Sequence, residues 1–103
     1  IIIDQFKIPH YPYNIVMESE SGHIMEFDDT PGAERINIWH RSGSFMEIHP
    51  NGDVIVKNTR DSYNIVMKDD RIYIMGDSSI TVQGNSEVYV KKNAKIKAFF
   101  IDM

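Results

Sequence analysis

From Ile72 onward the chain repeats every eight residues, and so short a repeat leaves few ways to fold. The first octad is Ile72-Tyr-Ile-Met-Gly-Asp-Ser-Ser79, and the second is Ile80-Thr-Val-Gln-Gly-Asn-Ser-Glu87. Val88-Tyr-Val-Lys-Lys-Asn-Ala-Lys95 and Ile96-Lys-Ala-Phe-Phe-Ile-Asp-Met103 follow. The first position is always Ile or Val, in Ile72, Ile80, Val88 and Ile96. The third is apolar as well, in Ile74, Val82, Val90 and Ala98. Gly76 and Gly84 hold the fifth position, with Asp77, Asn85 and Asn93 in the sixth, which reads as a turn.

An octad of about five strand residues and a turn of about three buries only two or three side chains. It cannot hide its apolar face alone and must stack on neighbours. A solenoid coil closed within one chain needs more residues per turn. Eight residues suit one face of a triangular prism whose other two faces come from two more chains. The expected fold is therefore all-β: an intertwined triple-stranded β-helix, a homotrimeric prism, in which folding and association are one event. Ile72, Ile74, Ile80, Val82, Val88, Val90 and Ile96 are expected to point to the shared axis as its structural core.

Upstream of the octads, short alternating segments are separated by turn residues, and no apolar face holds helical spacing for three turns. Candidate strands are Asn14–Glu18, His23–Phe27, Arg35–Arg41, Phe45–His49, Asp53–Lys57 and Tyr63–Lys68. Thr30-Pro31-Gly32, Ser42-Gly43 and Asn51-Gly52 have turn chemistry, with Asn51 and Gly52 suited to a tight hairpin. Tyr13-Asn-Ile-Val-Met17 recurs word for word as Tyr63-Asn-Ile-Val-Met67. The organisation read from this is a linker over 1–12, an antiparallel meander over 13–70 leading into the prism, and the octad helix with its distal tip over 71–103.

Composition narrows the function. Hydrophobic residues make up 42% of the chain and charged residues 25%, which argues against a disordered segment. The net charge of -4 argues against a nucleic-acid partner. With no cysteine there is neither a disulfide framework nor a thiolate metal site. No apolar run approaches the roughly 20 residues that span a bilayer, and Asp4-Gln5 after Ile1-Ile2-Ile3 does not look like a signal peptide. Without an initiating Met, the chain reads as a fragment of a longer protein.

Three segments carry a family resemblance. They are Glu20-Ser-Gly-His-Ile-Met-Glu-Phe-Asp-Asp-Thr-Pro-Gly32, Glu34-Arg-Ile-Asn-Ile-Trp-His-Arg-Ser-Gly-Ser-Phe-Met-Glu-Ile-His-Pro-Asn-Gly52, and the Val/Ile-x-Val/Ile-x-Gly octads from Ile72. In this order they resemble the C-terminal part of the central spike, or cell-puncturing, protein of contractile-tailed phages, related to the spikes of type VI secretion. The resemblance implies a homotrimer in the virion tail baseplate, assembled in the host cytoplasm and driven through the host envelope when the sheath contracts. It also implies attachment to the baseplate hub through an upstream domain, and a PAAR-repeat protein at the tip. Phe99, Phe100 and Ile101 are candidates for that tip or cap interface. Lys92 replaces the glycine of the third octad, so the bend there is expected to take another conformation. The last octad drops the Gly and Asn signals, which places the end of the regular helix near Ala98.

Other chemistry weighs less. Glu18, Glu20, Glu26, Asp28 and Asp29 lack an enclosing cleft, and Asp28-Asp29 ahead of Thr30-Pro31 reads as a turn cap rather than an acid–base pair. His10, His23, His40 and His49 offer imidazoles but no His-x-His pair, and surface or carboxylate-paired roles are favoured over metal binding. Lys91, Lys92, Lys95 and Lys97 form a basic collar that reads first as protection against edge-to-edge aggregation. The expectation is a structural, membrane-piercing element, not an enzyme, with no cofactor. The alternative is a trimeric receptor- or glycan-binding tail fibre segment, which would carry more sugar-binding aromatics than one Trp.

Overall fold

The computed structural model describes residues 6–7 and 13–103. Within them the chain is all-β, with six strands and no helix. The strands are β1 (Phe6–Lys7), β2 (Asn14–Ser19), β3 (Ile24–Asp28), β4 (Arg35–Trp39), β5 (Phe45–Ile48) and β6 (Val54–Lys57). They form one sheet in sequence order, every neighbour antiparallel. The expected linker over 1–12 lies outside the described residues except for Phe6–Lys7, where Phe6 pairs with Ser19.

The meander follows from its turns. Three hairpin loops share one construction, Glu20-Ser21-Gly22, Arg41-Ser42-Gly43 and Pro50-Asn51-Gly52. In each, the residue before the loop donates its N–H to the carbonyl of the residue after it: Ser19 to His23, His40 to Ser44, and His49 to Asp53, all at 2.9 Å. The loop glycine donates back to that first carbonyl at 2.9–3.0 Å, and its φ lies between 90° and 96°. That is the three-residue hairpin, a turn followed by a left-handed residue, and a side chain in the last position would be strained. At Asn51 the side chain adds an Asx-type lock. Its Oδ1 accepts from the Asp53 N–H at 3.1 Å while its Nδ2 donates to Asp53 Oδ2 at 3.0 Å. Sequence reading marked Ser42-Gly43 and Asn51-Gly52 but passed over Ser21-Gly22, which turns in the same way.

Five of the six strands expected between residues 13 and 70 appear within two residues of their expected ends. The sixth, Tyr63–Lys68, does not form. The segment bends at Met67–Lys68 and pairs with nothing in the described chain. A strand needs a neighbour to take its N–H and C=O groups, and the meander ends its pairing at Lys57.

The chain divides into two units, Ile1–Ile65 and Val66–Met103. The first holds the sheet. The second contains no strand pair of its own, yet it is regular. Bends fall at Met67–Lys68, Met75–Gly76, Gln83–Gly84, Lys91–Lys92 and Phe99, one every eight residues. Lys91–Lys92 bends in the same register as its neighbours, which corrects the expectation of a special conformation there. The reason is that Gly76 and Gly84 are not in the left-handed region, and a Cβ on either would meet nothing within 4 Å among the described residues. The fifth position therefore accepts a side chain, as Lys68 and Lys92 show.

Candidate functional site

The register decides what each face of the sheet presents, because alternate residues of a strand point to opposite sides. Ile15, Phe27, Ile36, Ile48 and Val54 stand opposite one another across β2 to β6. Two residues along each strand, Met17, Met25, Ile38, Met46 and Val56 form a second row on the same side. Ten apolar side chains thus make one continuous face. Not one is buried: among the described residues there is no buried hydrophobic side chain.

The octad unit shows the same openness in a finer pattern. First-position residues Ile72, Ile80, Val88 and Ile96 are 81–89% exposed. Third-position residues Ile74, Val82 and Val90, just ahead of each bend, are 46–52% exposed. Val66, eight residues before Ile74 and 44% exposed, belongs to this second column and was missed in the sequence. Lys68 in place of glycine hid that octad, while Asp69 in the sixth position was the available signal. The exposed Phe99, Phe100 and Ile101 lie at and after the last bend.

The opposite face of the sheet is polar and internally bonded. Its central row runs Val16, Glu26, Asn37, Glu47 and Ile55 across the same five strands. Asn37 Nδ2 donates to Glu26 Oε1 at 2.8 Å. Trp39 Nε1 donates to Glu47 Oε2 at 3.0 Å, and His49 Nε2 lies 3.1 Å from Glu47 Oε1. The indole stacks on Phe45, with ring centroids 4.6 Å apart, and Lys57 Nζ sits 5.8 Å from the Phe45 centroid. Val16, Ile24, Glu26, Arg35, Asn37, Trp39 and Glu47 line a groove of about 340 Å³ on this side.

Asp28 ends β3 as a turn cap. Its Oδ1 accepts from the Thr30 hydroxyl at 2.6 Å and from the Thr30 N–H at 3.0 Å, while Arg35 lies 3.5 Å from Oδ2. The two Thr30 hydrogen bonds, then Arg35, hold its carboxyl below the usual carboxylate range against the opposing effect of desolvation. A depressed folded-state pKa stabilises the fold above the unfolded value of about 3.9 and loses that contribution as pH falls through the lower, folded value. Thermal melts against pH should therefore show an acid limb beginning below about pH 4. Asp28→Asn should melt lower at neutral pH and show a flatter acid limb. An unchanged pH profile in that variant would remove Asp28 from the acid response.

The remaining candidates are dispersed. His23 and His40 stack with centroids 4.5 Å apart, each accepting a backbone N–H at Nδ1, from Arg41 and Ser42 respectively. His49 pairs with Glu47, and His10 lies outside the described residues. No three His, Cys, Asp or Glu side chains converge among the described residues. A lowered carboxyl at Asp28 is the opposite of what a general acid needs.

The chain also resembles known proteins over part of its length. No protein-family model matches the chain. Over 64 residues, 62% of its length, it is 56% identical to Protein Gp5 of Vibrio phage KVP40. Over a stretch of the same length it is 44% identical to the pre-baseplate central spike protein Gp5 of Enterobacteria phage T4. The chain spans 15% and 11% of the length of these two relatives. Over that stretch the chain is similar to the phage Gp5 proteins, of which the T4 member is named a pre-baseplate central spike protein.

Proposed function

We propose that the chain is the C-terminal needle of a phage central spike, sited in the virion tail baseplate and built as a homotrimer that pierces the host envelope. One observation carries the reading. A chain that is 42% hydrophobic leaves every described hydrophobic side chain unburied. Apolar burial is the main favourable term in folding, so such a chain is stable only when other chains cover it. The bends at eight-residue intervals, together with an octad unit that pairs no strand with itself, suit three copies that wind together and exchange backbone hydrogen bonds. In this arrangement Ile72, Ile74, Ile80, Val82, Val88, Val90 and Ile96 line the axis, and Val66 joins them.

The work of such a needle is stiffness. Force comes from sheath contraction, and the chain performs no bond-making of its own. Attachment to the baseplate hub falls to an upstream domain, and Phe99, Phe100 and Ile101 offer an apolar end for a PAAR-type cap.

The test is the mass in solution by light scattering, natively and after mild heating in SDS. The expected result is three times the 11.9 kDa chain mass, resistant to SDS. A monomer would overturn the trimer and, with it, the piercing role.

A further inference from the structure

The polar face of the sheet carries an arrangement that piercing does not explain. Glu26, Asn37 and Glu47 sit directly across from one another on β3, β4 and β5, so their side chains rise side by side. Asn37 is 7% exposed, although it lies on the outer layer of a single sheet. Its Nδ2 is committed to Glu26 on one side. A planar amide with its nitrogen turned to β3 turns its oxygen towards β5, where the neighbour is Glu47. That oxygen, Asn37 Oδ1, is shut off from solvent and has no donor.

Glu47 cannot supply the missing hydrogen while ionised, because a carboxylate only accepts. It is held in place by two donors, Trp39 Nε1 and His49 Nε2, one on each oxygen, which leaves further lone pairs free. On Glu26, Oε1 takes Asn37 Nδ2, while Oε2 receives only a long 3.4 Å contact from Asn14. The row therefore gathers two carboxylates and an orphaned amide oxygen along the groove, with acceptors in excess of donors. Buried polar groups without a partner are rare, and a bound ion is one standard resolution.

We propose that Glu26, Asn37 Oδ1 and Glu47 form a binding site for a hard divalent cation of the Ca²⁺ type. The donors are all oxygen, and no thiolate or free imidazole is among them. Carboxylate and amide oxygens with waters completing an irregular shell suit Ca²⁺, whereas Mg²⁺ demands a near-ideal octahedron and gives up its waters reluctantly. Two carboxylates and one carbonyl make a modest site, in the range of about 10⁻⁴–10⁻³ M typical of extracellular modules. Arg35 lines the same groove but is drawn aside by Asp28, 3.5 Å away. The cation would tie three adjacent strands together on the face opposite the apolar rows.

The chain contains one tryptophan, and that indole donates to a proposed ligand, so Trp39 reports on the site. The experiment is a CaCl₂ titration of the full chain, stripped beforehand with a chelator and followed by Trp39 emission and by thermal melting. The expected result is a saturable emission change with a midpoint in the range above and a rise in melting temperature. Glu26→Gln should shift the midpoint at least tenfold upward while its amide oxygen keeps the Asn37 bond. Asn37→Asp should lower stability without metal and steepen the Ca²⁺ dependence, because it adds a third carboxylate. Glu18→Gln, outside the row, should leave the midpoint alone. No response through the millimolar range, or the same response in a Glu26→Gln/Glu47→Gln double variant, would overturn the site. The mass of the same samples by light scattering separates this outcome from a failure of the trimer, since each chain holds its own three ligands.

Discussion

Val82→Asp is expected to abolish the proposed trimer, the largest effect expected of any single substitution in the octads. Val82 lies in the third-position column, just ahead of the bend at Gln83–Gly84. Its column is already half-covered within one chain, whereas the first-position column is open. If three copies meet at a common axis, the substitution brings three carboxylates together in an apolar core. The cheapest escape is to keep all three protonated. For a carboxyl of unperturbed pKa near 3.9, that costs about 4 kcal/mol per chain at pH 7. The total of roughly 12 kcal/mol, before any lost packing, is comparable with the whole stability of a small domain. Thr81→Asp is the matched control. It adds the same charge one residue earlier, at an exposed position outside the apolar columns, where surface changes usually stay within about 0.5 kcal/mol. Light scattering and thermal melting of the two variants decide the matter. A Val82→Asp protein that keeps its mass and melting temperature would remove the column from the core.

One pentapeptide shows how far the sequence could be read. Tyr13-Asn-Ile-Val-Met17 and Tyr63-Asn-Ile-Val-Met67 are identical. In the first copy residues 14–17 belong to β2 and pair with β3; the second has no partner in the described chain. Tyr13 is 52% exposed and Ile15 41%, against 79% for Tyr63 and 81% for Ile65. Alternation predicts a strand in both places, and only the first copy forms one, because the pattern reports local conformation and the spacing of apolar groups. It cannot report whether the neighbouring strand lies in the same molecule. The sheet was legible because turn residues sit between its strands: Gly43 and Gly52 close hairpins that fix the register. The octad unit was legible as a period, and its start was blurred because glycine is not required at the bends.

The polar row was less legible than the apolar one. In the sequence Glu26 stands out only as one of the acids around Asp28-Asp29, and Glu47 and Asn37 carry no signal of a site. Only the pairing register sets the three side by side and shows that the Asn37 oxygen has no donor. The apolar rows are different, since alternation alone places Met25, Ile38 and Met46 on one side of their strands. The sequence lacked the information that nothing among the described residues buries them.

Ile38→Asp separates the two parts of the proposed assembly. Ile38 occupies the middle of the second apolar row, between Met25 and Met46, with Ile36 two residues away on the same side. If partner copies cover this face as they are proposed to cover the octads, each chain loses the burial of a large aliphatic side chain, roughly 2 kcal/mol. Each must also keep a carboxyl neutral at a cost of about 4 kcal/mol at pH 7. The expected result is loss of the trimer, or a trimer that dissociates on mild heating in SDS. Ile55→Lys is the matched control, because Ile55 lies on the polar face directly across from Glu47, where a cation finds an opposite charge. It should keep the mass unchanged. A third outcome is informative in its own right: Val82→Asp disassembles the protein while Ile38→Asp does not. The three-chain arrangement would then be confined to the octad unit, and the apolar face of the meander would need a different cover in the virion. The physical basis for that division is already visible in the chain, because the meander satisfies its own interior backbone hydrogen bonds and needs partners only for its apolar side chains. The octad unit, with no strand pair of its own, needs partners for both.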